Sequence, residues 1–551
     1  MTYKAPLAEI QRALYASGID DITKLPTFEN AGADVVASIL AEAAKLAENV
    51  IAPLNRAGDK QPAKLVNGKV EVPPGWPQAW AELAKGGWGG LSAPAEHGGM
   101  AMPELLGLSV SEMWNSANLA FALCPLLTQG AAHAISLYGN AEQKTRLLPP
   151  MNEGRWTGTM NLTEPQAGSD LAALRTAATP DGSHYRIKGQ KIYITYGDHE
   201  MTENIVHLVL ARLPDAPAGV KGISLFVVQK FHDGKRNTVH AASLEHKLGI
   251  HGSPTAVMIY DDAVGELIGQ PHRGLEYMFA MMNHARLDVG VQGLAVAERG
   301  FQMALAYARE RVQGKPVGFV GEGKATIIHH PDVHRLLVSM QARIAAMRGL
   351  LYEVAAARDM ALAHPDEATR AAAQFKVDLL TPIAKGWCTE VGNEVVYDAV
   401  QIFGGMGFIE DTGIAQVFRD ARILPIYEGT TAIQANALVG RSLLRDKGES
   451  LLAYLKTFSN AAGVSELVAS AQWIIAASVK DQRLAYAASV PFLHQFGTVL
   501  GGIAVQRQGG NVAACYNAHL GPRALSFHHQ IVSGTQALYA QDFLGVNSLA
   551  T

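Results

Sequence analysis

Cysteine is scarce in this chain. The 551 residues include three, Cys124, Cys388 and Cys515, which lie far apart and lack the spacing of metal ligands. We therefore expect neither a disulfide framework nor a zinc site. Few cysteines fit a reducing compartment, and the opening residues show no apolar core of signal-peptide length. These features predict a cytoplasmic protein.

Charge is also sparse and nearly balanced. Asp, Glu, Lys and Arg make up 17% of the chain, and the formal net charge is -4. This composition gives no reason to expect nucleic acid or an anionic membrane as a partner. The uncharged stretches 116–141 and 484–506 are interrupted by Pro, Gly, His, Gln or Asn. They predict buried helices rather than membrane spans.

Common nucleotide and metal motifs are missing as well. No Gly-x-Gly-x-x-Gly turn stands between a strand and a helix, which argues against a Rossmann-type site. The pairs His329-His330 and His528-His529 have no carboxylate or cysteine to complete a ligand set. Because adjacent side chains seldom point the same way, we interpret them as surface histidines, and no metal is expected.

The chain is long enough for several domains, and the pattern of apolar, β-branched and turn residues changes along its length. Residues 1–155 are predicted to be mainly helical, with one helix over 35–51 that stops before Pro53. Residues 156–274 contain short β-branched segments between turn residues, which predict an antiparallel sheet or barrel. Helical patterns over 275–313, 331–363, 366–403 and 430–445 predict a four-helix bundle within 275–445. Residues 446–551 add an Ala-rich helical extension, so the fold class is α+β, mainly α.

Glu428 is the candidate catalytic residue. The run Arg422-Ile-Leu-Pro-Ile-Tyr-Glu-Gly-Thr-Thr431 places its carboxylate on an apolar approach, directly before a helix-like segment. An apolar site raises the pKa of a carboxylate and removes its hydration, as a general base near neutral pH requires. A glutamate at an ordinary helix start also favours the helix dipole, so the run by itself leaves both readings open.

Two further motifs accompany Glu428. Residues 160–170 read Met-Asn-Leu-Thr-Glu-Pro-Gln-Ala-Gly-Ser-Asp, and 189–195 follow with Gly-Gln-Lys-Ile-Tyr-Ile-Thr. Residues 401–408 read Gln-Ile-Phe-Gly-Gly-Met-Gly-Phe. In this order the motifs resemble the acyl-CoA dehydrogenase family, over roughly residues 30–442. The extension resembles that of the larger subgroup that includes methylthiopropionyl-CoA and some long-chain acyl-CoA dehydrogenases.

The resemblance implies FAD as cofactor and oxidation of an acyl-CoA between Cα and Cβ. No side chain accepts a hydride, so a flavin is needed. By analogy with the family, the residues that hold the flavin ring are Leu162, Thr163, Ser169, Tyr193 and Thr195. Many members have Trp at the position of Tyr193. The side-chain hydroxyls and the peptide N–H groups of these five residues can hydrogen-bond the flavin ring without adding charge.

The far end of FAD is clamped in the family by a neighbouring subunit. The matching residues here are Arg311, Gln313, Gln401, Gly404 and Gly405. Thr430, in the segment that contains Glu428, is carried over separately as a cofactor residue. Arginine can bond a pyrophosphate bidentately, and glycine permits close approach of the backbone. The Phe that many members place shortly after the first two residues is missing here. The resemblance implies a homodimer or homotetramer.

The same resemblance assigns substrate contacts. Glu428 is the base, its peptide N–H bonds the thioester carbonyl, and the other substrate residues are Ser169, Asn283, Arg286, Tyr427 and Gly429. A charge pair or a cap at the core edge would explain Arg286 equally well. The product is trans-2-enoyl-CoA, and the electrons pass to an electron-transfer flavoprotein.

Two rival functions remain at this point. An acyl-CoA oxidase would pass the electrons to oxygen, and the alkylation-response branch of the fold binds DNA through a basic extension. Residues 446–551 contain six Lys or Arg and five Asp or Glu. That balance is not the footprint of a duplex-binding segment.

Overall fold

The computed structural model describes residues 2–540, which belong to two compact units. One unit contains Ala8–Ile22 and residues 289–540. The other contains Thr2–Leu7 and Thr23–Asp288. The first includes the helical bundle and the extension, and the second includes the large sheet.

The segment before the large sheet is mainly helical. Its helices are α1 Leu7–Ala16, α2 Ile19–Ile22, α3 Ala33–Leu46, α4 Ala52–Lys60, α5 Trp76–Lys85, α6 Glu104–Ala117, α7 Leu119–Tyr138 and α8 Ala141–Asn152. A small hairpin, β1 Lys64–Val66 and β2 Lys69–Glu71, interrupts them. The predicted stop before Pro53 is wrong, because a π-helical turn, Ala47–Ile51, joins α3 to α4. Pro53 lies in the first turn of α4, where proline is tolerated.

The large sheet has seven strands, and two of them, Asn204–Arg212 and Ile223–Gln229, are buried on both faces. Its strands are β3 Trp156–Asn161, β4 Ala177–Asp181, β5 His184–Thr195, β6 Asn204–Arg212, β7 Ile223–Gln229, β10 Val239–Leu244 and β11 Thr255–Ile268, while β8 Phe231–His232 and β9 Lys235–Arg236 form a separate ribbon. Most neighbours are antiparallel, as predicted, but β3 runs parallel to β6. A long excursion that includes β4 and β5 separates these two strands, which is the type of connection that a parallel pair requires.

Alternation along β6 explains why both of its faces are buried. Leu208 and Leu210 join a core that includes residues of α7, α8 and the following long helix. Val209 and Ala211 point into a second core made by the sheet itself. Because successive side chains of a strand point to opposite faces, β6 contributes residues to two separate cores.

Long helices form the bundle. They are α9 Gly274–Glu310, α10 Pro331–Ala363 and α11 Glu367–Phe403, followed by α12 Ile414–Ala421 and α13 Thr431–Ala437. Asp366 caps α11, since its side chain accepts a hydrogen bond of 2.8 Å from the Thr369 N–H. A π-helical segment, Leu438–Leu444, leads out of α13.

The described part of the extension, up to residue 540, is mainly helical. Its helices are α14 Glu449–Lys456, α15 Val464–Lys480, α16 Gln482–Ala487, α17 Ser489–Gln508, α18 Asn511–Cys515, α19 Arg523–His529 and α20 Thr535–Ala540. Helix α17 packs against α10, α11 and α13. The uncharged stretches predicted to be buried helices correspond to α7 and α17. Within residues 2–540, α7 alone is long and apolar enough to cross a membrane, and 83% of its most apolar window is buried.

Candidate active site

Glu428 lies in a turn with an unusual backbone. Its φ is +55°, and Gly429 follows with a φ of +89°. A non-glycine residue in the left-handed region costs on the order of 1 kcal/mol, so surrounding contacts must hold it there. Thr430 then precedes α13 as its N-cap, and its hydroxyl accepts a 3.3 Å hydrogen bond from the Ile433 N–H. The predicted cofactor residue Thr430 thus also has a local role as a helix cap.

Two buried side chains hold the carbonyl groups of this turn. Lys385 Nζ donates to the Gly429 carbonyl at 2.7 Å. Gln434 Nε2 lies 3.1 Å from the Glu428 carbonyl oxygen and 3.4 Å from that of Gly429. Lys385 is 0% exposed and Gln434 is 1% exposed. Because Lys385 lies on α11 and Gln434 on α13, two helices fix the backbone of the candidate base.

The turn is closed from its other side by Thr431. Its N–H donates to the Pro425 carbonyl at 3.1 Å, and its hydroxyl donates to Glu390 Oε1 at 2.6 Å. Glu390 lies on α11, the same helix as Lys385. The segment from Pro425 to Thr431 is therefore anchored at both ends and in the middle.

Tyr427 places a neutral phenol next to the candidate base. Its hydroxyl donates to Gln292 Oε1 on α9. Burial, followed by the negative charge of Glu428, raises the pKa of Tyr427 well above its ordinary value, although the bond to Gln292 acts in the opposite direction. The phenol keeps its proton near neutral pH, so it does not compete with Glu428 as a base.

The residues predicted to hold the flavin ring lie on neighbouring segments of the sheet unit. The Ile192 N–H donates to the Thr163 carbonyl at 2.9 Å, which joins the 162–163 segment to β5. Tyr193 on β5 is 61% exposed and has a φ of +61°. Ser169 is exposed, Thr163 and Thr195 are half-buried, and Leu162 is buried. The structure therefore brings the two predicted segments together.

A buried ion pair crosslinks these segments. Lys191 Nζ donates to the Leu162 carbonyl at 3.0 Å and to Glu164 Oε1 at 2.8 Å. The carboxylate of Glu164 also accepts bonds from the Thr176 hydroxyl and from the Arg175 N–H. Burial by itself would raise the pKa of Glu164, but Lys191 and these donors lower it to about 2. Both side chains are almost fully buried, so each charge depends on the other.

The predicted FAD clamp lies at one end of the bundle. Arg311 and Gln313 follow α9 and are exposed. Gln401 lies in the last turn of α11, three residues before the pair Gly404-Gly405. The Tyr307 and Phe403 rings stack at 4.2 Å, which brings the ends of α9 and α11 together. Gly404 has a φ of +60°, and a β-carbon at either glycine would meet nothing within 4 Å. These glycines therefore leave open space for a ligand or another chain.

Asn283 and Arg286, the predicted substrate residues on α9, contact each other. Arg286 Nη1 donates to Asn283 Oδ1 at 3.2 Å, and its guanidinium lies 5.8 Å from the Phe279 ring centroid. Arg286 is 8% exposed. These contacts fit the other explanation of Arg286, a side chain that caps the edge of the core. Its contact with substrate stays a prediction.

Histidines do not form a metal centre in the described part of the chain. His330 Nε2 lies 2.8 Å from the Gln313 carbonyl oxygen, and His528 Nδ1 lies 2.9 Å from Ser470 Oγ. Among residues 2–540, no group of three or more His, Cys, Asp or Glu side chains is placed to hold an ion.

Comparison with known proteins decides the family. Family models match in consecutive order: the acyl-CoA dehydrogenase N-terminal domain over residues 36–155, the middle domain over 159–263 and the C-terminal domain over 272–444. The 3-methylmercaptopropionyl-CoA dehydrogenase of Ruegeria pomeroyi is 45% identical over 99% of this chain and 96% of its own length. This chain belongs to the acyl-CoA dehydrogenase family. The prediction made from its motifs is confirmed.

Other relatives and solved structures match different shares of this chain. A broad-specificity linear acyl-CoA dehydrogenase of Mycobacterium tuberculosis is 36% identical over 79% of this chain and 74% of its own. Butyryl-CoA dehydrogenase of Megasphaera elsdenii has a TM-score of 0.62 at 26% identity, covering 74% of this chain and 98% of its own. An acyl-CoA dehydrogenase of Bacillus anthracis, complexed with FAD, has a TM-score of 0.74 at 22% identity. The match covers 94% of this chain and 91% of that chain. The predicted fold class is confirmed.

FAD is the cofactor of acyl-CoA dehydrogenases, and the donor set here fits it. The hydroxyls of Thr163, Ser169, Tyr193 and Thr195 are hydrogen-bonded to no other group within residues 2–540. They can therefore bond the polar edge of a flavin ring. At the bundle end, the exposed guanidinium of Arg311 suits a pyrophosphate.

Several site residues of this acyl-CoA dehydrogenase were not predicted from the sequence. Lys385, Gln434 and Gln292 hold the Glu428 turn, and Lys191 and Glu164 join the flavin-side segments. A signal was available for two of them. Lys385 is a single charge within the apolar run 379–388, and Glu164 lies inside a matched motif. A charge in an apolar helix suggests a buried partner, but the sequence does not identify that partner.

Proposed function

We propose that this enzyme converts an acyl-CoA thioester to trans-2-enoyl-CoA, with Glu428 removing the Cα proton. The observation that carries this proposal is the Glu428–Gly429 turn, whose left-handed backbone is fixed by Lys385 and Gln434. Strained backbone that its surroundings hold in place is typical of functional sites. A purely structural turn at this position would not need a carboxylate.

The contacts of the turn explain how a weak base could act here. Leu424 and Pro425 are buried, and Tyr427 is neutral and bonded to Gln292. Surroundings of this kind limit hydration of the Glu428 carboxylate, and a positioned base contributes about 10² to 10⁴ in rate. The peptide N–H of Glu428 is the proposed donor to the thioester carbonyl, since an oxyanion donor contributes about 3 to 4 kcal/mol.

FAD, when bound, supplies the hydride acceptor that no side chain provides. We assign the flavin-ring contacts to Leu162, Thr163, Ser169, Tyr193 and Thr195. Gly429 and Tyr427 are assigned to the acyl-CoA, together with Ser169, Asn283 and Arg286.

The clamp residues support an oligomer. Arg311, Gln313, Gln401, Gly404 and Gly405 are proposed to hold the far end of the FAD of a neighbouring subunit, with Thr430 as a further contact. Near Gly404 the surface is apolar, since Phe408 is 91% exposed, Met406 is 47% exposed and Ile409 is 44% exposed. Apolar surface of this kind is expected to be covered by another chain. We therefore propose at least a homodimer, and a homotetramer is compatible with it.

The domain organisation proposed for the chain has four parts, at 1–155, 156–274, 275–445 and 446–551. The residues matched by the family models support the first three. A cytoplasmic location and an electron-transfer flavoprotein as acceptor complete the proposal. The acceptor is proposed because members of the family that this chain resembles pass their electrons to such a flavoprotein.

The name of one relative suggests a substrate class. The relative that is 45% identical is a 3-methylmercaptopropionyl-CoA dehydrogenase. We propose a short acyl-CoA, including one with a thioether in its chain.

A bleaching experiment tests this function. The purified protein with its flavin would be mixed, without oxygen, with acyl-CoAs of graded length and with 3-methylmercaptopropionyl-CoA. Loss of flavin absorbance together with a trans-2-enoyl-CoA product would support the proposal. Absence of bleaching with the entire panel would reject it. Rapid peroxide formation in air, without stimulation by an electron-transfer flavoprotein, would instead favour the oxidase.

A further inference from the structure

Helix α17 of the extension packs directly behind the helix that carries Lys385. The family models end at residue 444, so α17 lies beyond the region that they match. Gly386 on α11 follows Lys385, and a β-carbon at Gly386 would lie 2.7 Å from Leu493 Cδ1 on α17. Leu493 is 0% exposed. The absence of a side chain at Gly386 therefore lets the two helices approach closely.

The next residue, Trp387, extends this contact along α17. Its ring lies against Gly497, and a β-carbon at Gly501 would lie 2.7 Å from Trp387 Cη2. Trp387 is 3% exposed. Two glycines one helical turn apart thus form a flat surface for the indole, and they fix the distance between α11 and α17.

Helix α17 also reaches α13, the second helix that holds the base. Ser489 Oγ donates to Asn436 Oδ1 on α13 at 2.9 Å. A β-carbon at Gly386 would lie 3.5 Å from the Gln434 Cβ. Leu493, Gly386 and Gln434 therefore meet at one point, adjacent to the Lys385 and Gln434 bonds to the turn.

We propose that α17 is a positioning element for the catalytic base, and that Leu493 sets the spacing of α11 and α13 at which Lys385 and Gln434 hold the Glu428–Gly429 turn. This inference rests on the proposed role of Glu428. Hydrogen bonds weaken steeply when their geometry changes, and a displacement of about 1 Å of a catalytic group can cost about 10²-fold in rate. Helix α17 therefore acts on the proposed base only through α11 and α13, the two helices that hold its turn.

Three variants and one control test the proposal in the full-length protein with bound flavin. Leu493→Ala opens space behind Gly386, Gly386→Ala pushes a methyl group towards Leu493, and the double variant does both. Leu467→Ala is the matched control, because Leu467 is also fully buried but lies on α15, which packs mainly on α16, α17 and α19 of the extension.

Three measurements separate positioning from general stability. They are the single-turnover rate of flavin bleaching, the affinity for an acyl-CoA that cannot react, and hydrogen exchange over residues 423–434. We expect Leu493→Ala and Gly386→Ala each to slow bleaching by about tenfold or more, with affinity changed by less than about threefold. Exchange over 423–434 should rise in both. The double variant should bleach faster than Gly386→Ala alone, since the new methyl group occupies the space that Leu493 leaves.

Clear outcomes would overturn the inference. One is a Leu493→Ala variant whose bleaching rate and hydrogen exchange equal those of the wild type. Another is a Leu467→Ala variant that loses as much bleaching rate as Leu493→Ala. A third is a double variant in which the effects of the two substitutions on the bleaching rate simply add. If Leu493→Ala does not fold, Ser489→Ala provides the same comparison with a smaller expected effect. If the wild-type protein bleaches with no acyl-CoA, the proposed function fails, and hydrogen exchange still decides whether α17 holds the turn.

Discussion

The Nζ of Lys385 lies 2.7 Å from the Gly429 carbonyl oxygen, so a fully buried ammonium group holds the backbone directly after Glu428. A charged donor bonded to a carbonyl is stronger than a neutral one. This bond spans 44 residues of sequence and joins α11 to the turn. With the proposed role of Glu428, this bond makes Lys385 a positioning residue rather than a catalytic one.

Replacing Glu428 by Gln tests the base directly. The amide keeps the size of the side chain but is not basic, so bleaching of the flavin by an acyl-CoA should fall by at least about 10²-fold. The flavin content should stay at the wild-type level. Stopped-flow absorbance measures the rate, and bleaching at the wild-type rate would remove Glu428 from the mechanism.

Replacing Lys385 by Met should slow bleaching while the affinity for acyl-CoA changes little. The change leaves the Gly429 carbonyl without this donor, and it frees a strained turn. Lys385→Gln, which retains a donor, should recover part of the rate. Lys376→Met is the control, since Lys376 lies on the same helix and has no ion pair within the described residues. If Lys385→Met and Lys376→Met slowed bleaching equally, the slower rate would reflect lower stability and not loss of the bond to Gly429.

Arg311→Ala should lower FAD content and weaken the oligomer together, because one proposed pyrophosphate contact serves both. Arg309→Ala is the matched control on the same exposed end of α9. Flavin absorbance per chain and sedimentation velocity measure the two effects. Full flavin content with unchanged assembly in Arg311→Ala would place the clamp elsewhere.

Glu164 should make stability depend on pH in the acid range. Its pKa is about 2 in the folded chain, below the ordinary value of 4.5, so between these values the unfolded chain binds more protons. The resulting stability is present above pH 4.5 and is lost as the pH falls through 2.

The Glu164→Gln variant should therefore differ most from the wild type above pH 4.5. Urea unfolding at pH 3, 5 and 7 should show the difference narrowing at pH 3. The exposed pair of Glu153 with Arg155 supplies the control Glu153→Gln, which should have little effect at any pH. A constant difference for Glu164→Gln across the three pH values would contradict the proposed cause.

Removing the extension after Arg445 should give an aggregation-prone protein. Helix α17 buries Phe492, Leu493 and Phe496 in the unit that contains the bundle, and truncation would expose the surface beneath them. Light scattering and native mass analysis after purification would show the change. A soluble truncated protein with unchanged assembly and kinetics would show that the extension has another role, and salt-sensitive DNA binding by the full-length chain would indicate which one.

Much of the fold could be predicted because its patterns are local. The period of apolar residues predicts a helix over 331–363, and the structure has α10 over Pro331–Ala363. The cap at Asp366 and the β-branched segments after Trp156 are local signals of the same kind. The wrong stop at Pro53 and the parallel pairing of β3 with β6 depend on hydrogen bonds that a local pattern does not specify.

The sequence by itself determined the family, the fold class and the candidate base. Each of these depends on short runs of contiguous residues in a characteristic order, which can be recognised without knowledge of tertiary contacts. Only the tertiary structure decided what holds that base. Lys385 and Gln434 are 43 and 6 residues from Glu428 in sequence, and their roles follow from carbonyl groups that the folded backbone points at them. Likewise, Leu493 reaches Gly386 because two helices far apart in the chain pack where glycine leaves room, and such packing is set by shape rather than by sequence pattern.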